Sequence, residues 1–216
     1  MHKPRKTKLQ AILNILAAVY PDAHCELNFS SPFQLLIATM LSAQATDKKV
    51  NLVTARLFAK YRTPQDFLSL TQTELENEIK EIGLYHNKAI NILATCQKLV
   101  SEYHGEVPQD IHTLTALPGV GQKTANVVAA NAFGIPALAV DTHVFRVANR
   151  LGLAQAATAK QVELQLTALI PRDLWIKAHH WLIWHGRRIC HARRPKCRAC
   201  PLAGHCEYGQ SDRKPS

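Results

Sequence analysis

Leu117-Pro118-Gly119-Val120-Gly121-Gln122-Lys123-Thr124-Ala125 joins two apolar-periodic segments through glycines two residues apart. Pro118 ends the segment before it. Gly119 and Gly121 permit backbone angles closed to other residues and leave no side chain between the main chain and an approaching ligand. The next helix starts at Gln122. Its first N–H groups have no partner within the helix, so they are donors for a phosphate oxygen. Gly119, Val120 and Gly121 are therefore candidate phosphate contacts. An ordinary helix–helix turn is the plainer reading, but the Lys-Thr pair after the glycines and the basic region downstream favour phosphate.

The segments on either side also read as helices. One face of a first helix carries Leu9, Ile12, Leu13, Leu16 and Val19, and a second, opened by Ser31-Pro32, carries Phe33, Leu36, Ile37, Met40 and Leu41. Further helices are expected over 50–61, from Thr63-Pro64, and over 73–82, 86–103, 111–117, 122–133, 142–151, 159–169 and 174–186. Residues 136–140 are the one extended candidate and are too short to build a sheet. The composition shifts near residue 136. The expectation is an all-α chain of two helical lobes: residues 25–135, which contain the hairpin, and residues 1–24 with 136–216.

Cys190, Cys197, Cys200 and Cys206 form C-x6-C-x2-C-x5-C. Four thiols in so short a stretch point to a metal centre. A zinc ribbon uses two C-x2-C pairs, and only one is present, whereas iron–sulfur clusters accept four thiolates with looser spacing. A cluster is favoured; zinc and then disulfides remain as alternatives. Cys25 and Cys96 sit among apolar residues and read as reduced, buried thiols.

The net charge is +10 and the pI about 9.5, a balance that favours encounters with polyanions. The charge is uneven. Lys3, Arg5, Lys6 and Lys8 precede the first acid, Asp22. No acid lies between Asp173 and Glu207, a region that holds Arg187, Arg188, Arg193, Arg194, Lys196 and Arg198. Such a distribution points to a nucleic-acid backbone. No apolar run is long enough to span a membrane, no signal peptide is evident, and unpaired thiols suit a reducing cytoplasm.

Lys123 falls in the first turn of the helix after the hairpin. It reads either as one more phosphate-contacting cation or as a nucleophile. The helix dipole disfavours an ammonium there by about 0.3–1 kcal/mol, too little to supply a free amine, so desolvation or neighbouring cations must contribute. Asp141 precedes a clear helix start and reads as an N-cap. Capping donors would keep it ionised and able to stabilise a sugar cation.

Five segments occur in order: Leu41-Ser42-Ala43-Gln44-Ala45-Thr46-Asp47, Ile82-Gly83-Leu84-Tyr85, the hairpin, Val140-Asp141-Thr142-His143, and the cysteines. Together they resemble the helix-hairpin-helix DNA glycosylases, and within them the bacterial branch with a four-cysteine cluster. The resemblance implies a six-helix lobe and an iron–sulfur cluster lobe, with a DNA-binding cleft between them. It implies a bifunctional DNA glycosylase and abasic-site lyase of base excision repair, acting as a monomer in the bacterial nucleoid on double-stranded DNA with damaged pyrimidines or abasic sites. By resemblance Lys123 and Asp141 are catalytic, Gln44 and Leu84 fill the space left by an extruded nucleotide, and His143 lies near the pocket. Arg193, Arg194 and Lys196 contact phosphates, the four cysteines hold a [4Fe–4S] cluster, and carbonyls near Leu117 and Val120 hold a monovalent cation. Two other readings stay open: a non-catalytic iron–sulfur DNA-binding regulator, and a monofunctional glycosylase of the same fold.

Overall fold

The computed structural model describes residues 3–211, with side chains from 6 to 209. The described residues form twelve α-helices and three 3-10 turns, without a strand. The chain divides into two compact units, Cys25–Ile135 and Met1–His24 with Pro136–Ser216. Residues 1–2 and 212–216 of the expected second lobe lie outside the described residues. No described helix is long and apolar enough to cross a membrane.

Helix α1 (Lys3–Val19) starts before the apolar stripe that announces it. Its buried side chains Leu9, Ile12, Leu13 and Leu16 belong to the core of the discontinuous unit.

The continuous unit holds α2 (Pro32–Leu41), α3 (Asp47–Lys60), α4 (Pro64–Leu68), α5 (Gln72–Ile79), α6 (Tyr85–Tyr103), α7 (Ile111–Thr115) and α8 (Gln122–Phe133). The family's six-helix description counts one fewer; α4 and α7 are only five residues long. Caps set the starts. Ser31 accepts from the Gln34 N–H ahead of Pro32, and Thr63 with Asp66 and Thr71 with Glu74 form reciprocal capping boxes. Helix α3 begins three residues earlier than the apolar pattern suggests because Thr46 accepts from the Lys49 N–H. Helix α2 is buried along nearly its whole length, and α6 and α8 close over the same core.

The discontinuous unit continues with α9 (Thr142–Leu151), α10 (Ala159–Leu169), α11 (Trp175–Arg188) and α12 (Glu207–Ser211). Residues 137–140 are buried but make no sheet; the Ala139 carbonyl accepts instead from His179 Nδ1 at 2.8 Å. A buried carbonyl left unpaired would be costly, so this side chain substitutes for a strand neighbour.

Candidate functional site

In the continuous unit the hairpin is built as α7, a turn and α8. Leu117 and Val120 are buried and anchor the turn, and the Val120 N–H donates to the Leu117 carbonyl at 3.1 Å. Gly119 has φ +71°. A β-carbon there would come within 2.7 Å of the Asn91 β-carbon. Gly121 has φ −87° and would meet nothing within 4 Å. The two glycines thus do different work. Gly119 lets the turn close over α6, while Gly121 starts α8 with no side-chain cap. The first N–H groups of α8 keep their donors for an external acceptor. Lys123 stands exposed in this first turn, and Gln122 donates to Asn126 within its own helix at 2.9 Å.

Gln44 and Leu84 are both exposed and both left-handed, with φ +59° and +61°. Leu84 caps α6 without a side-chain hydrogen bond, and 54% of its surface is open to solvent. A left-handed conformation costs a non-glycine residue of order 1–3 kcal/mol. An exposed leucine in that state gains nothing from core packing to offset the cost.

One stripe of α6 supports all three of these loops. Leu84 begins it. Lys88 reaches the end of α2, with Nζ donating to the Leu41 and Ala43 carbonyls at 2.6 Å each. Asn91 lies beneath Gly119, and Thr95 Oγ1 donates to the Pro118 carbonyl at 2.7 Å. Spacings of four, three and four residues put these positions on one helical face. The sequence reading missed Lys88, Asn91 and Thr95. The available signal was a lysine in register with the buried Ile92 and Leu99.

In the discontinuous unit, Asp141 is the N-cap of α9. Its Oδ1 accepts from the His143 and Val144 N–H groups, both at 2.8 Å, leaving Oδ2 outside the cap. His143 lies against Gly186, and its Nδ1 is 3.1 Å from Arg146 Nη2. A guanidinium only donates, so Nδ1 accepts in this contact. Burial lowers the His143 pKa; Asp141 opposes this, and Arg146 and Arg187 reinforce it. Arg146 also donates to the Cys190 and Gly186 carbonyls at 3.0 Å, which ties α9 to the end of α11.

Cys190, Cys197, Cys200 and Cys206 line one pocket with about 320 Å³ of space free of atoms, and none is in a disulfide. No three His, Cys, Asp or Glu side chains among the described residues gather tightly enough for a single metal ion. The pocket is wired with donors. Arg150 Nη1 is 3.4 Å from Cys190 Sγ, the Gly209 N–H is 3.5 Å from Cys206 Sγ, and His185 Nε2 is 3.5 Å from Cys200 Sγ. Burial raises the Cys200 pKa, and the other three cysteines add to the rise. Arg150 also donates to the His191 and Ala192 carbonyls at 2.7 and 3.0 Å, bracing the loop that exposes Arg193, Arg194 and Lys196. That loop closes through the Lys196 N–H to the Ile189 carbonyl at 3.0 Å, with Arg194 left-handed at φ +51°. Arg146 and Arg150 were not singled out from sequence, because an arginine in a basic chain reads as surface, and His185 falls in no motif.

Comparison with known proteins agrees with this geometry. Residues 37–172 match the model of the HhH-GPD superfamily base excision DNA repair proteins. The chain is 50% identical to endonuclease III of Escherichia coli K12 over 203 residues, covering 94% of this chain and 96% of that protein. It is 51% identical to endonuclease III of Rickettsia conorii over 197 residues, covering 91% and 94%. A solved endonuclease III–DNA covalent intermediate, trapped as an estranged-adenine complex, superposes with a TM-score of 0.93 at 50% identity, covering 97% of this chain and 99% of that one. With a two-glycine hairpin leading into Lys123, a capped Asp141 and a match through the middle of its length, the chain belongs to the HhH-GPD superfamily of base excision DNA repair proteins.

Proposed function

We propose that this protein is a bifunctional DNA glycosylase and abasic-site lyase that removes oxidised pyrimidines from duplex DNA. The observation that carries the reading is Lys123, exposed in the first turn of an uncapped helix directly after the hairpin that would grip the phosphates.

Lys123, as the free amine, attacks C1′ of the damaged nucleotide. The C1′–N glycosidic bond breaks and its electron pair leaves with the base, which takes up a proton. The amine nitrogen gives up a proton, the C1′–O4′ bond breaks as the nitrogen lone pair forms the C1′=N double bond, and O4′ takes up a proton, which leaves a ring-opened Schiff base. Removal of a 2′ proton then expels the 3′ phosphate, cutting the strand 3′ to the lesion. Asp141, oriented by its two N–H donors, stabilises positive charge on the sugar. Gln44 and Leu84 occupy the space of the extruded nucleotide, whose unstacking costs least at a damaged base. His143, kept neutral by burial, lies near the pocket. Arg193, Arg194 and Lys196 contact phosphates.

Cys190, Cys197, Cys200 and Cys206 would hold a [4Fe–4S] cluster. The donor set supports this over zinc. A tetrahedral zinc draws four sulfurs to about 3.8 Å of one another, whereas a cluster takes each thiolate on a separate iron and accepts N–H donors to its sulfurs. Held there, the cluster would fix the loop between Cys190 and Cys197 and would supply no chemistry to base release. A monovalent cation at the hairpin is compatible with the Leu117 carbonyl, which has one lone pair free beside its bond from Val120.

The test is incision of a duplex carrying thymine glycol, compared with the undamaged duplex. Base release with a strand break bearing a 3′ unsaturated aldehyde supports the reading. Base release without a break would indicate a monofunctional glycosylase. Binding with neither would indicate a non-catalytic DNA-binding protein.

A further inference from the structure

Lys88 is 7% exposed, yet it carries an amine into the core of the continuous unit. Its Nζ donates to two carbonyls at 2.6 Å, that of Leu41, the last residue of α2, and that of Ala43, which immediately precedes Gln44. Its main-chain N–H donates to the Leu84 carbonyl at 3.1 Å. The Lys88 side chain thus ties the turn before Gln44 to the first turn of α6, which opens at the left-handed Leu84.

Burial lowers the Lys88 pKa, while two carbonyl acceptors at the negative end of α2 favour the ammonium. An apolar residue would fill the same volume more cheaply but would leave the Leu41 and Ala43 carbonyls without this donor. The chain keeps a costly group where it fixes the peptide before Gln44 and where its own helix begins at Leu84.

We propose that Lys88 is a positioning residue that locks the Gln44 and Leu84 turns to one another, so that the two side chains enter the duplex as a preset pair. This rests on the proposed DNA reading, since it requires that both turns meet DNA. Lys88 does not touch the reacting atoms. It removes the freedom of the two turns before the nucleotide is extruded, which is where preset geometry changes a rate.

The experiment uses Lys88→Met, similar in length and without donors, and Lys88→Arg, which keeps the cation. Single-turnover base release is measured on a thymine glycol fully paired in a duplex and on the same lesion in a pre-opened mismatched bubble. Melting is followed by circular dichroism. Lys88→Met is expected to slow release from the paired lesion by roughly ten- to a hundredfold, to leave the bubble substrate nearly unaffected, and to lose most of its defect when Gln44→Ala is already present. Lys88→Arg should recover part of the paired rate. Equal slowing on both substrates, or no slowing on either, overturns the proposal. If Lys88→Met does not fold, Lys88→Gln carries the same comparison. Wild-type protein inactive on both substrates would overturn the glycosylase reading and this inference with it, an outcome separate from a wild type that works and a variant impaired equally on both.

Discussion

Asn91 of α6 lies directly beneath Gly119 of the hairpin, with its β-carbon 2.7 Å from where a β-carbon on that glycine would sit. The turn that presents the α8 N–H groups is therefore seated on α6 by main-chain contact, and only glycine permits it.

Gly119→Ala should destabilise the protein by about 2 kcal/mol or more, combining a left-handed φ with overlap onto Asn91. Gly121→Ala meets no atom and has an ordinary φ, so its effect on stability should be near zero while its methyl group crowds the phosphate site and weakens DNA binding. Urea unfolding and DNA titration of the two variants check this. Equal destabilisation by both would show that the glycines are interchangeable.

Asp141 has a cap and a charge that substitution can separate. Asp141→Asn keeps an oxygen for the His143 and Val144 N–H groups and should leave stability within about 0.5 kcal/mol, while Asp141→Ala costs about 1 kcal/mol. Both should lower the base-release rate. Full activity in a stable Asp141→Asn protein would remove the carboxylate from the chemistry.

The cysteine pocket predicts the composition of the purified protein. Iron and acid-labile sulfide should be present in equal amounts and zinc absent, and Cys197→Ala should lose the iron together with much of the DNA affinity. Zinc without sulfide would replace the cluster with a single ion. Unchanged affinity after loss of iron would detach the basic loop from the metal centre.

His180 gives the stability a pH dependence of known sign. Burial, reinforced by His179, His24 and Arg187, lowers its pKa from 6.5 to about 3. The unfolded chain binds a proton that the fold refuses, so this contribution is complete above the unfolded value and is lost as pH falls towards 3. From neutral pH to pH 5.5 the loss is on the order of 1 kcal/mol. Urea unfolding at both pH values should show a smaller drop in His180→Gln than in wild type. Identical drops would mean that His180 is protonated in the fold.

Legibility in the sequence followed the kind of signal each residue leaves. The ends of α8 at Gln122 and Phe133 were readable because Gly121 and Gly134 bracket an apolar run. The start of α3 was placed late, at Val50, because Thr46 and Asp47 are polar and the cap, not the stripe, begins the helix. The fifth helix was drawn to Ile82 but stops at Ile79; Ile82 is buried in the turn that follows, where the periodicity cannot distinguish it from a helical residue. Exposed candidates such as Lys123 and Leu84 were carried by motif. The residues that hold them were not. Lys88, Arg146 and Arg150 are cations in a chain of charge +10, and only coordinates reveal that their donors go inward, to main-chain carbonyls and to a sulfur.

The proposed chemistry turns on Lys123 as the nucleophile. The direct measurement is mass-spectrometric mapping of the protein–DNA adduct formed with a thymine glycol duplex in the presence of borohydride. One modified site is expected, on the Lys123 side chain, and no adduct from a folded, DNA-binding Lys123→Ala protein. An adduct on another amine, or an undiminished yield from Lys123→Ala, would contradict it.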